Sequence, residues 1–515
     1  MNTDEELLIA RYLAGENVDE PLLDACRQNP ALLKDLADFV ATERLLQFNA
    51  VEDDLFVQEF EQKLKLEKED SFTDQFNQKL KKQQESRFTF IKIAAVACML
   101  ILPLFLFKSS VAPAPKSMPI AKIAKSLGNS QYSAGSEVLA GLFTLETGYA
   151  EMTLKNGVQL TLEAPITLDF KNPDLIHLLK GNLVANVPKQ AIGFTVLTPS
   201  SEIIDLGTEF AVGVNADGAS EVHVILGEVK ARGLKEKQFV NLYKDDARAF
   251  DVHHQMSIIE SDPMRFRRSL PGQSPHDPNF LHWSFDDNAA ITSASGKGFN
   301  PEEFPGELKA INNGTGPIYE NGQFGKALFY NGKDAYVETS FKGISGNKPR
   351  TVAFWTKVPE DFTSRNGYGM ISWGLHQKGA AWQISPNPAK KEGQIGRIRI
   401  GTMEAPVVGT TDLRDRRWHH IAVVMYGGEA DTSTHILLYV DGKLENTSHK
   451  AVHRIDTILD NKNSRPLIFG RNMAFSTDDK NIRDKFFRGW LDEIFIFDAA
   501  LNQEQIQNLM DTNSL

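Results

Sequence analysis

Three regimes of hydrophobic patterning follow one another along the chain: helical spacing, then an unbroken apolar run, then alternation. In residues 3–48 apolar positions recur three and four apart. They are Leu7, Leu8, Ala10 and Leu13 before Gly15, then Leu22, Leu23 and Cys26, then Leu32, Leu36, Phe39, Val40 and Leu46 after Pro30. That spacing puts each set on one face of a short helix, with Asp4 as a cap for the first and Gly15 as its stop. Residues 55–65 (LFVQEFEQKLK) and 71–81 (SFTDQFNQKLK) repeat one another at an offset of 16, with six identities in eleven. Each copy aligns two phenylalanines and a leucine on one helical face (Phe56, Phe60, Leu64; Phe72, Phe76, Leu80). The pair reads either as a solvated connecting helix or as two equivalent docking turns.

Residues 88–107 (FTFIKIAAVACMLILPLFLF) are apolar apart from Thr89 and Lys92. At ~1.5 Å per residue such a run covers ~30 Å, the thickness of a bilayer core, and predicts one transmembrane helix. The 87 residues before it argue against a cleaved leader. Lys79, Lys81, Lys82 and Arg87 precede the run, whereas only Lys108 and Lys116 closely follow it. This bias predicts a single-pass protein of the cytoplasmic membrane, with its N-terminus in the cytoplasm and its C-terminal domains outside. Residues 108–119, rich in Pro, Ala and Ser, predict an extended spacer.

Beyond residue 119 the period changes to two. Segments such as YAEMTL (149–154), VQLTL (158–162), TVAFWTKV (351–358) and HILLYVDGK (435–443) alternate or run β-branched and aromatic, with glycine- and asparagine-rich turns between them. Residues 261–278 interrupt the pattern with four prolines and a basic run, Arg265, Arg267 and Arg268. The expected class is therefore multidomain. It comprises a small all-α segment (1–87), one transmembrane helix (88–107), a linker (108–119), an all-β domain (120–260) and an all-β sandwich (277–510) ending in a short amphipathic helix.

Charge sharpens this division. The net charge is −11, and residues 1–87, with 20 acidic and 11 basic residues, carry −9 of it. A nucleic-acid partner is not expected, because phosphate neutralisation needs clustered Lys and Arg. The two cysteines, Cys26 and Cys98, leave the long C-terminal part without a disulfide and make a Cys/His zinc quartet untenable.

Particular runs add resemblances. RYLAGE (11–16) followed by NPALLKDLADFVATERLL (29–46) resembles the N-terminal helical unit of bacterial anti-sigma factors, without the His and Cys of the zinc-binding class. The resemblance implies a sigma factor as partner, gripped through apolar positions that include Leu13, Leu23, Leu36, Phe39 and Leu46. GLFTLETGYAEMTLKNGVQLTLEAPITLDF (141–170), LLKGNLVANVP (178–188) and DLGTEFAV (205–212) resemble the FecR-type domain. That likeness implies an outer sensor-transmitter governing an extracytoplasmic-function sigma factor. WSFDD (283–287), RRWHHIAVV (416–424) and GWLDEIFIFDAAL (489–501) resemble the LamG-like, concanavalin A-type jelly roll. It implies binding of a glycan or surface protein, in some members with Ca²⁺. It also brings first and last strands together, so Asp286 and Asp492 are the Ca²⁺ candidates, set against a role in capping turns.

Other groups draw ordinary readings. Asp205 is read as a turn cap, Glu209 as an exposed strand position, Gly207 as a bend, and His223 as a strand residue without function. His419 and His420 face opposite sides of a strand, as do Asp492 and Glu493, so neither pair is a catalytic dyad. The expectation is a non-enzymatic anti-sigma regulator. An envelope adhesion protein is the alternative, and a membrane-anchored polysaccharide hydrolase the third reading.

Overall fold

The computed structural model describes residues 119–128, 131–363, 368–401, 406–427, 435–451, 453–474 and 485–515. Among them the fold is β throughout, with four short 3-10 turns and one α-helix, Gln503–Thr512. That helix has 10 residues, ~15 Å of length, half of what a bilayer requires. It is amphipathic, burying Ile506 and Leu509, and Asn502 and Gln505 close its N-terminus reciprocally as a capping box. No described helix is long and apolar enough to cross a membrane. The expected class, with a small all-α domain and a transmembrane helix beside two all-β domains, is thus corrected: the described fold is β-rich with one terminal helix. The predicted helical segment 1–87, the span 88–107 and nearly all of the spacer lie outside the described residues, as do Leu13, Leu23, Leu36, Phe39 and Leu46.

The first β region is built around a long hairpin, Gln159–Asn172 with Leu175–Asn186. Its register shifts between Glu163 and Thr167, and the two halves of the hairpin take different neighbours. One half pairs with Tyr149–Leu154 and Glu209–Val214, the other with Gly141–Leu145 and Thr195–Leu197. Strand alternation sends Leu160, Leu162, Ile166, Leu168 and Phe170 into one apolar cluster with Phe194, Phe210 and Val222.

The second region is a sandwich of two nine-stranded sheets. One runs Ser295–Lys297, Phe280–Trp283, Arg488–Phe497, Arg350–Lys357, Trp418–Met425, Ile436–Val440 and Lys443–Leu444, with Lys326–Asn331 also on Arg488–Phe497 and Ile318–Asn321 beyond it. The other is centred on Arg465–Phe469, Ile371–Gly374 and Ala381–Pro386. Trp283, Trp373, Trp382, Phe354 and Phe469 fill the space between them. Arg350 is buried in this region without a carboxylate. Five hydrogen bonds satisfy it, to the carbonyls of Ile344, Ser345, Gly346 and Lys348 and to the Thr457 hydroxyl. Burial lowers its pKa to about 9.

Both regions lie within one compact unit, Pro115–Leu515. The outer face of the first sandwich sheet, through Ala353, Ala422, Val424, Tyr439, Phe495 and Phe497, packs in one cluster with helix residues Ile506 and Leu509, with Leu270 and with Tyr149 of the first region.

Candidate functional site

The basic run that breaks the sequence pattern becomes the seam between the two β regions, and each of its arginines has a different task. Arg265 pairs with Glu221 on the first region. Arg268 forms a two-pronged ion pair with Glu209, Nε to Oε1 at 2.6 Å and Nη2 to Oε2 at 2.5 Å, and its carbonyl accepts the Thr161 hydroxyl at 3.1 Å. Arg267, between them, turns the other way. Its guanidinium is buried, 4.2 Å from the Tyr149 ring centroid and 5.7 Å from that of Tyr426. It donates to the Tyr426 hydroxyl and, at 3.2 Å, to the Ile436 carbonyl.

The Tyr426 hydroxyl donates onward to the Ser269 carbonyl at 2.8 Å. Burial pushes its pKa up to about 12, with Arg267 only partly offsetting the effect, so it keeps that proton. Lys450 of the sandwich approaches Glu163 at 3.4 Å, and Lys125 holds the Leu270 carbonyl at 3.1 Å. The first region thus presents Glu151, Glu163, Glu209 and Glu221 to four cations: Lys125 of its own first strand, Lys450 of the sandwich, and Arg268 and Arg265 of the linker. A cavity of about 420 Å³ lies under the linker, lined by Lys125, Glu151, Gln159, Asn186, Glu209 and Arg268.

In DLGTEF, Asp205 is buried and accepts the Gly207 N–H at 2.6 Å and the Thr208 hydroxyl. Gly207, at φ +100°, makes the bend. Glu209, read from the sequence as an exposed strand position, is the Arg268 partner. His223, read as functionless, anchors the start of the linker: its Nδ1 accepts the Asp262 N–H at 3.1 Å. The cue available in sequence was the interruption of alternation by three arginines. Nothing local named their acceptors.

Asp286 and Asp492 are brought to one loop. Strand Phe280–Trp283 pairs with Arg488–Phe497. The Asp492 Oδ2 then accepts the N–H groups of Gln323 and Phe324 at 2.8 and 3.1 Å, and the Asp286 Oδ1 accepts the Lys326 N–H at 2.7 Å. Asp492 is fully buried and its Oδ1 has no partner. Burial raises its pKa to about 8, with the charges of Glu493 and Asp286 adding to the shift. A register shift between Ala353 and Trp355, with Glu493 at φ +49°, lets both carboxylates be buried. Glu493 meets the His282 Nε2 at 2.5 Å instead. No cluster of three or more His, Cys, Asp or Glu suited to a metal occurs among the described residues. Two carboxylates, one with a buried orphan oxygen, nonetheless fit a hard cation whose remaining ligands would be main-chain carbonyls and water.

Residues 142–230 match the FecR protein family, and residues 331–507 match the concanavalin A-like lectin/glucanases superfamily. The chain thus carries a region that matches the FecR family, followed by one that matches the concanavalin A-like superfamily. Among solved structures it is similar to domain 4 of AbnA, a GH43 extracellular arabinanase from Geobacillus stearothermophilus, in complex with arabinotriose. The identity is 21% over 45% of this chain and 100% of that one, with a TM-score of 0.33. A putative anti-sigma factor from Parabacteroides distasonis is 19% identical over 24% of this chain and 60% of that one, with a TM-score of 0.21. The binding domain of Paraclostridial Mosquitocidal Protein 1 is 14% identical over 46% and 52%, with a TM-score of 0.32. No curated protein matches the chain.

Proposed function

We propose that the chain is a non-catalytic anti-sigma regulator whose jelly roll binds a glycan and whose FecR region passes the bound state toward residues 1–87, which hold a sigma factor. In this reading the β assembly works outside the cytoplasmic membrane and residues 1–87 inside. The observation that carries it is the seam. A sensor and a transmitter need a joint with defined states, and this joint is specified by a buried guanidinium, a two-pronged ion pair and main-chain hydrogen bonds. Ligand binding transmits a signal only if it favours one arrangement over another. Asp286 and Asp492 would hold Ca²⁺ in the jelly roll, fixing the loop 322–326 beside them.

Full-length chain expressed with the sigma factors of its host tests the reading. Capture of one extracytoplasmic-function sigma factor is expected, with the amount captured changing when Arg267 and Arg268 are both replaced by Ala. Capture of none would leave the regulator reading without its output. Protection of a C-terminal tag from added protease in intact spheroplasts would contradict the outward placement.

A further inference from the structure

The sequence holds six tryptophans. Trp283, Trp373 and Trp382 are enclosed in the sandwich core and Trp355 is nearly so. Only Trp418 and Trp490 remain half-buried, and both lie against the same side chain. The Lys357 ammonium sits 4.9 Å from the Trp418 ring centroid and 4.3 Å from that of Trp490. This follows from register: Lys357 is opposite Trp418 on one side and Trp490 on the other, Trp490 is opposite Phe329, and Phe329 is opposite Ile318. All five point away from the core that takes Leu328, Val358 and Leu491. At ~4.8 Å between strands the row is a track of roughly 19 Å, long enough for a short oligosaccharide. It is open at one end, where Ile318 is 47% exposed.

Of three carboxylates beside this row, two are ion-paired and Glu320 is held by a hydrogen bond. Glu320 accepts the Trp490 indole N–H at 2.8 Å, Asp361 pairs with Arg488 at 2.8 Å and Asp415 pairs with Arg417 at 2.6 Å. Lys357 has no ion pair among the described residues, and the exposed Arg416 lies close by, its N–H on the Val358 carbonyl at 3.2 Å. An ammonium between two indole faces is held by the ring quadrupoles and still needs an anion. Flat aromatic faces in a row suit the C–H faces of pyranose rings.

From this geometry we infer that the row Phe329–Trp490–Lys357–Trp418 binds an acidic polysaccharide, with sugar rings on the aromatic faces and a uronate carboxylate on Lys357. A nucleic acid is a poor fit, because a single unneutralised lysine in a chain of net charge −11 does not match a phosphate backbone. The inference rests on the glycan-binding reading above and names the chemical class that reading leaves open.

The test uses the full-length chain in affinity electrophoresis and calorimetry against polygalacturonate, alginate, glucuronoxylan and hyaluronan, each beside its carboxyl-reduced counterpart. At least one acidic polymer should bind, and carboxyl reduction should weaken binding tenfold or more. Lys357→Met should cause the same loss and erase the preference for the acidic form, Lys357→Arg should retain it, and Trp418→Ala with Trp490→Ala should abolish binding. Circular dichroism of Lys357→Met separates lost binding from lost fold. Failure of all four acidic polymers, equal binding to the reduced forms, or an undiminished Lys357→Met would each overturn the inference. Sigma-factor capture is read separately, so loss of the saccharide result leaves the regulator reading standing, and the reverse.

Discussion

Arg267 and Tyr426 satisfy one another across the joint between the two β regions: the guanidinium donates to the phenol oxygen, and the phenol donates its own hydrogen to the Ser269 carbonyl. Replacing Tyr426 with Phe removes both bonds but keeps the ring. A buried cation then loses an acceptor and a main-chain carbonyl loses its donor, at a cost of about 2–4 kcal/mol. Arg267→Met should cost a comparable amount, and the double variant less than the sum of the two, because the second change removes groups the first left unsatisfied. Thermal melting of the three variants checks this, and additive losses would mean that the two residues act independently.

The Arg268–Glu209 pair makes a contrasting case. Both side chains keep some contact with solvent, 23% and 12% exposed, so the pair contributes little to stability, about 1 kcal/mol or less. Its expected effect is on the joint. Glu209→Gln should leave the melting temperature nearly unchanged yet expose residues 261–278 to faster cleavage in limited proteolysis. Exchanging the charges, Glu209→Arg with Arg268→Glu, should restore resistance in part. Unchanged cleavage in Glu209→Gln would show that Arg267 alone holds the linker.

Much of the β architecture was legible because it is written locally. Alternation in 149–162 and 351–358 places Leu160, Leu162, Val352 and Phe354 inward without reference to anything distant. Asp205 and Gly207 were read correctly as cap and bend, since a turn is also a local event. Glu209 was misread because its partner is 59 residues away in a segment whose only sequence mark was broken periodicity. The burial of Glu493 was equally hidden. Strict alternation puts it opposite Asp492, and only the bulge facing Ala353–Trp355 changes that. The row around Lys357 depends on the register of five strands, which no single segment encodes.

Calcium should act on the loop that Asp286 and Asp492 hold. If it binds there, Ca²⁺ at a hundredfold excess over its Kd stabilises the chain by about 2.7 kcal/mol, seen as a rise in melting temperature that EDTA reverses. Asp492→Asn should abolish the rise. In EDTA the same variant should melt no lower than the unsubstituted chain, because it removes a buried carboxylate whose Oδ1 has no partner. A calcium response in Asp286→Asn and Asp492→Asn as large as that of the unsubstituted chain would take the ion away from this loop.

Acid should loosen the joint through His435, which stacks on Tyr426 with ring centroids 4.8 Å apart. Burial lowers its pKa to about 4, with the positive charges of Arg267 and Arg268 adding to the shift and the Gly427 backbone, as an acceptor for the ring N–H, opposing it. Above the ordinary histidine value of 6.5 the ring is neutral whether the chain is folded or not, and its contribution is fully present. As pH falls from 6.5 toward 4, the unfolded chain takes up the proton and the folded chain does not, so stability declines by roughly 1 kcal/mol per pH unit for this one group. His420, also lowered to about 4 by burial, adds a second decline in the same window. His435→Phe keeps a ring against Tyr426 and removes the titration. Its melting temperature should fall less steeply between pH 6.5 and 4 than that of the unsubstituted chain, and identical slopes would assign the acid sensitivity elsewhere.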